Sequence, residues 1–157
     1  MCCMTRLVLL LLLATGSLGW SAGAQAACSA SSQSVPFGSY NPFTLTATDA
    51  SGNVNVSCTG IGILFSYNIK LSTGASGSFA NRTLKLGGAS LNYNLYTSVL
   101  RVSVWGDGSG GSFTITDGYL ISVGTVSRDY PVYGRLFAQQ NVAAGAYTDT
   151  ILVTVDY

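Results

Sequence analysis

The sequence predicts an all-β protein, a β-sandwich, on three observations. Apolar and polar residues alternate at period two. Glycine-rich turns separate these runs at short intervals. No window keeps a helical apolar spacing through its own glycines and β-branched residues.

The first segment stands outside this pattern. Arg6 precedes the apolar run of residues 7–14 (LVLLLLLA), and Ala24-Gln25-Ala26 follows at the distance of a secretory cleavage site. Residues 1–26 read as a Sec signal peptide and residues 27–157 as one exported domain. The apolar run falls far short of the roughly 20 residues that span a bilayer, so no membrane insertion is expected of the mature form.

Within the domain, residues 53–58 (NVNVSC), 64–71 (LFSYNIKL), 91–97 (LNYNLYT), 99–105 (VLRVSVW), 112–116 (SFTIT) and 130–137 (YPVYGRLF) read as strands. Turn signals lie between them, at residues 49–53, 72–77, 106–111 and 143–145, at Gly87-Gly88 and at Asp117-Gly118. The clearest strand is the last, residues 148–157 (TDTILVTVDY), where Ile151, Val153, Val155 and Tyr157 share one face. A barrel is the structural alternative to the sandwich.

Cleavage after Ala26 removes Cys2 and Cys3 and leaves Cys28 and Cys58. In an oxidising compartment two cysteines suggest one disulfide. It would close a loop of about 30 residues, worth roughly 3–4 kcal/mol. Lipid attachment at Cys28 is the alternative, but Gln25 stands where an aliphatic residue is wanted.

Composition argues against several functions. The chain has no His, no Glu and only six acidic residues, all Asp, so it builds no Ser-His-Asp or Cys-His centre. No enzyme activity and no cofactor or metal are expected. A hydrolase using paired carboxylates would have to draw on Asp107, Asp117, Asp129, Asp149 and Asp156, each beside a turn or at a strand end where a solvated Asp is ordinary. The Lys and Arg residues after Arg6 are scattered singly, so no nucleic-acid partner is expected. Gly106, Gly108 and Gly111 match G-x-G-x-x-G but lead into the strand-like SFTIT rather than a helix, and read as a hairpin loop. Asp49, Ser51 and Asn53 read as an Asx-type turn rather than a calcium loop. Of two sequons, at Asn55 and Asn81, the first lies inside an expected strand. The nine Tyr read mainly as packing residues.

Several segments taken together resemble one family. An early Cys is followed by Phe37-Gly38-Ser39-Tyr40-Asn41-Pro42, then by a second Cys in a Val-x-Val-x-Cys strand. After these come Leu91-Asn92-Tyr93-Asn94-Leu95-Tyr96, then Tyr133-Gly134-Arg135-Leu136, and a closing run from Gly145 to Val155. In this order they resemble the spore coat protein U domain, shared with subunits of archaic chaperone-usher (Csu-type) pili, over essentially all of residues 28–157.

The resemblance implies an immunoglobulin-like sandwich lacking its final strand, with a disulfide between Cys28 and Cys58. It implies three partners: a periplasmic pilus chaperone that lends a strand, an outer-membrane usher, and a neighbouring pilus subunit as the permanent strand donor. The chain would pass through the periplasm to the cell surface or an extracellular pilus, and act in adhesion and biofilm formation. Ile151, Val153, Val155 and Tyr157 become candidates for the donor-strand groove or the core. With cleavage after Ala26 only Ala27 precedes Cys28, and cleavage after Gly19 leaves only the short WSAGAQAA. The chain is therefore expected to accept a strand but not to donate one, at the distal end of a fibre or outside any fibre. The rival reading is a stand-alone secreted carbohydrate- or surface-binding module that does not polymerise.

Overall fold

The structure is a computed structural model, and it describes residues 27–157; the expected signal peptide lies outside the described residues. Six strands follow in order: β1 (Ala27–Gln33), β2 (Thr48–Leu71), β3 (Arg82–Leu86), β4 (Ala89–Tyr96), β5 (Ile115–Leu136) and β6 (Val153–Asp156). A single 3-10 turn, Gly74–Ser76, follows β2. All pairings between the strands are antiparallel, in the order β1-β2-β5-β4-β3, with β6 added to the far half of β2.

The architecture follows from the two long strands. At about 3.3 Å per residue, the 24 residues of β2 would reach roughly 80 Å if straight, far beyond the span of a domain this size. Instead the β2–β5 ribbon folds over itself. Asp117 and Tyr130, at opposite ends of β5, meet at 2.6 Å. Residues 48–59 of β2 pair with the end of β5, and 53–59 also with β1; residues 68–71 pair with β6, and 68–69 also with the start of β5. Each long strand thus belongs to both layers of a β-sandwich.

The buried face inverts between the two halves. Val54, Val56 and Cys58 are buried in the first half of β2, and Tyr67, Ile69 and Leu71 in the second, a switch from even to odd positions. β5 makes the matching switch, from Tyr119 to Tyr130, Val132 and Leu136. Between the halves Gly60 faces Gly124, at φ 151° and 91°, a region that residues with a Cβ avoid. This pair lets residues 53–58 and 64–71, expected as separate strands, run on as one; Asp117-Gly118, expected as a turn, is instead laddered with Tyr67 and Ser66. The expected turn at residues 49–53 is likewise absorbed into β2, where Asp49 pairs with Arg135 instead of closing an Asx turn.

Strand 99–105 was also expected. Of it, Val104 and Trp105 alone make bridges, because Arg101 at φ 53° breaks the extended run and turns residues 98–102 into a hairpin tip. The turn at Gly87-Gly88 forms where expected and joins β3 to β4.

Fully buried Arg82 closes one corner of the core. Its guanidinium donates to the carbonyls of Ser72 (2.8 Å) and Trp105 (2.7 Å) and to Asn94 Oδ1 (2.8 Å), and it stands 5.3 Å from the Phe79 ring centroid. Burial lowers its pKa, and the ring of neutral acceptors holds the cation in place of a carboxylate. Trp105, also fully buried, donates its indole N–H to the Ile69 carbonyl at 3.0 Å.

Candidate functional site

An apolar groove of about 990 Å³ runs between two stretches of irregular chain. One bank is residues 34–40, which follow β1; the other is residues 142–147, continuing through Ile151 and Val153. Buried core residues form its floor, among them Val54, Leu95, Val132 and Leu136.

The first bank is seated by glycines. A Cβ on Gly134 would lie 2.6 Å from Val35 and 2.8 Å from Phe37, and one on Gly52 would lie 2.7 Å from the Gln33 carbonyl oxygen. Only bare backbone at these two positions lets the bank lie flat on the sheet. Phe37 then meets Tyr93 edge to face, with ring centroids 5.7 Å apart.

Polar clasps fence both ends. At one, Gln140 donates its backbone N–H to the Tyr40 hydroxyl (2.6 Å), and its side-chain amide brackets Asn92, donating to the Asn92 carbonyl (2.8 Å) and accepting from its N–H (2.6 Å). At the other, Asp149 accepts from the Tyr93 hydroxyl (2.7 Å), the Ala75 N–H (2.9 Å) and the Thr150 N–H (2.8 Å). Gly74, at φ 65°, makes room for that carboxylate; a Cβ there would overlap it. Burial and the bond to Asp149 push the Tyr93 phenol far above its ordinary pKa. Leu152 and Ser72 lock the same segment by a backbone bond of 3.0 Å and a bond from the Leu152 N–H to the Ser72 hydroxyl of 2.9 Å.

The banks themselves are not laddered, although the Ala143 carbonyl accepts from the Tyr147 hydroxyl at 3.0 Å. Among the described residues, neither residues 34–40 nor 142–147 make a backbone–backbone hydrogen bond. Most of these residues are exposed, so their backbone groups are solvated and open to pairing with an incoming strand. Two such rows beside an apolar trough match the requirements of an added strand, in which main-chain bonds give affinity and alternate side chains fill pockets.

Of the residues singled out in the sequence, Cys28 and Cys58 are disulfide-bonded across directly paired positions of β1 and β2. Ile151 and Val153 line the groove. Val155 pairs with Ile69 in the β6–β2 ladder and packs against the core. Tyr157 follows β6, largely exposed, with its ring 6.1 Å from that of Phe65. The sequence reading missed Val35, Phe37, Tyr40, Leu84, Val142 and Tyr147, which complete the lining. Val35-Pro36-Phe37 does alternate, but Pro36 interrupts the strand signal.

The carboxylates considered as a hydrolase pair have separate partners. Asp107 accepts from Ser109, Asp129 from Asn53 and Asn55, and Asp156 pairs with Lys70. Burial would raise Asp117, but bonds from Arg128, Tyr130 and the Gly118 amide outweigh it and hold the carboxyl low. Bonding to Arg135, with Arg101 beside it, likewise keeps Asp49 below the usual carboxylate range.

Comparison with known proteins agrees with this architecture. The model of the Spore Coat Protein U domain matches residues 14–154. Protein U of Myxococcus xanthus is 26% identical over 159 residues, covering 92% of this chain and 85% of that protein. Among solved structures, a chain of the CsuC-CsuE chaperone-tip adhesion subunit pre-assembly complex, from archaic chaperone-usher Csu pili of Acinetobacter baumannii, superposes with a TM-score of 0.57 at 19% identity. The match covers 85% of this chain and 40% of that one, a likeness of fold.

Proposed function

Because the chain belongs to the Spore Coat Protein U domain family, we propose that it is an exported structural subunit of a chaperone-usher pilus or surface coat, completed by a strand from another protein. The groove carries this reading: an apolar trough whose two banks make no backbone–backbone hydrogen bond among the described residues is what a sandwich short of one strand would present. A periplasmic chaperone would fill it first, and a neighbouring subunit would replace that strand at an outer-membrane usher. Signal-directed export of residues 27–157, and a part in adhesion and biofilm formation, belong to the same proposal. The likeness in fold to a chain from a chaperone–subunit complex supports it.

In this reading Ile151 and Val153 contact the incoming side chains, while Val155 and Tyr157 support the neighbouring strand. The work is assembly by burial rather than catalysis. The test is thermal unfolding with a synthetic decapeptide alternating Val or Ile with Thr. Binding to the folded state alone raises stability by about 2.7 kcal/mol when peptide stands 100-fold above its Kd. A saturable rise in Tm is expected, reduced by Val153→Asp. A Tm unmoved by the peptide, or raised equally by a scrambled peptide, would sink the idea.

A further inference from the structure

The groove is neutral but for one residue. Both banks and the floor are lined by apolar or uncharged side chains, and among the described residues Asp149 is the single charged one in that lining. A lone carboxylate in an apolar trough constrains what can fill the trough.

No cation answers it from within the chain. Asp49, Asp117 and Asp156 make ion pairs; among the described residues Asp149 makes none. Two basic side chains lie nearby. Lys85, whose backbone bridges to Thr148, turns its ammonium to the Ser90 hydroxyl at 2.8 Å. Arg82 lies within reach of the Asp149 field, but its N–H groups go to Ser72, Trp105 and Asn94. The bonds from Tyr93, Ala75 and Thr150 hold the carboxylate in place without supplying positive charge. A carboxylate offers roughly four acceptor sites, so three bonds leave room for one more donor.

While the groove is open, water solvates the half-buried Asp149. A strand laid into the groove displaces that water. Set against an apolar side chain, the charge would lose its hydration with nothing in return, a cost that burial of the neighbouring side chain does not offset. A Lys or Arg there removes the cost, because its stem lies along the apolar wall while its charged head reaches the carboxylate. The opposite end is closed by the uncharged clasp of Gln140 and Tyr40. A strand with one basic end therefore pairs its charge in one direction only.

We infer, on the strand-accepting reading of the groove, that the incoming strand carries a basic residue at the end lying over Asp149, and that this charge pair sets its direction and register. A slip of two residues keeps the same side chains facing the groove but moves the basic residue about 7 Å away from Asp149.

Calorimetric titration of the exported protein with four decapeptides tests this. All alternate Val with Thr and are acetylated and amidated, so that their ends carry no charge. Two bear Lys, at the first or the last position, and two bear Gln at the same places. At about 20 mM NaCl one Lys peptide should bind about 10-fold more tightly than its Gln counterpart and the other Lys peptide should gain nothing; at about 500 mM NaCl the advantage should shrink to about 3-fold. Asp149→Asn should weaken all four peptides and bring that Lys and Gln pair within about 2-fold of each other. The ratio within one protein separates charge pairing from the general loosening of the clasp, and the unsubstituted protein decides alone if the variant folds poorly. Equal binding of Lys and Gln peptides overturns the inference, as does a gain shared by both Lys peptides or a ratio that survives Asp149→Asn. In each of those cases the groove still accepts a strand; if none of the peptides binds, the strand-accepting reading fails as well.

Discussion

Asp149 shows how much one side chain can organise. Read as a solvated residue at the start of the last strand, it instead joins three segments through the Tyr93 hydroxyl and the Ala75 and Thr150 amides. Its partner Tyr93 is 56 residues away in the chain, so no local pattern announces the contact. Asp149→Asn keeps the shape but replaces one acceptor oxygen with a donor, which faces either the Tyr93 hydroxyl or a backbone N–H. A loss of about 1–3 kcal/mol is expected in urea unfolding, together with weaker binding of the groove peptide as Ile151 and Val153 lose their anchor. An unchanged midpoint would show that the clasp is idle. Gly134 makes the same point from the other bank: its lack of a side chain, not any side chain, seats Val35 and Phe37.

At the scale of elements, β1 has little to hold it except β2 and the disulfide. Its residues, ACSASSQ, are nearly all exposed and contribute no large apolar side chain. That poverty is also why the sequence did not announce it as a strand, whereas the alternation of residues 148–157 is plain. The Cys28–Cys58 bridge closes a loop with a sequence separation of 30, so the double Cys→Ser variant should lose about 3 kcal/mol, read as a lower urea midpoint.

The folded β2–β5 ribbon holds a second cluster, Tyr67, Tyr119 and Tyr130, with Tyr67 and Tyr130 joined hydroxyl to hydroxyl and Tyr130 donating to Asp117. Burial above all pushes each of these phenols up to about 12, from 10.0. A pKa raised on folding means that the folded state keeps its proton longer. The stability this represents is complete below pH 10 and is lost as pH rises from there through 12. Tyrosinate absorbance from these residues should therefore rise near pH 12 while the protein is folded, and near pH 10 only once it unfolds. A Tyr67→Phe variant should shed part of that pH dependence, and tyrosinate from these residues growing near pH 10 while the fold stays intact would contradict the assignment.

For the whole molecule, fold class was readable because period-two alternation and glycine turns are local signals. The number of strands was not, since a glycine that ends one strand and a glycine that lets a strand invert look alike in sequence; Gly60 and Gly124 were of the second sort. The groove was half readable for a similar reason. Ile151 and Val153 fall in a run whose alternation is plain in the sequence, although of residues 148–157 the structure makes strand only of Val153–Asp156, because Asp149 and Leu152 are bonded to residues 72–75 instead; the opposite bank is irregular chain whose position depends on bare backbone at Gly52 and Gly134 far along the sequence.

The sharing of β2 and β5 between both layers has a dynamic consequence. In a sandwich whose layers are made of separate strands, one layer can loosen while the other holds. Here, opening either layer means withdrawing half of a strand whose other half is still laddered, so the layers are coupled through continuous covalent chain and rise or fall as one cooperative unit. Filling the groove therefore steadies more than its banks: its floor includes Val54 and Val132, and the same two strands carry the tyrosine cluster in the folded-over half.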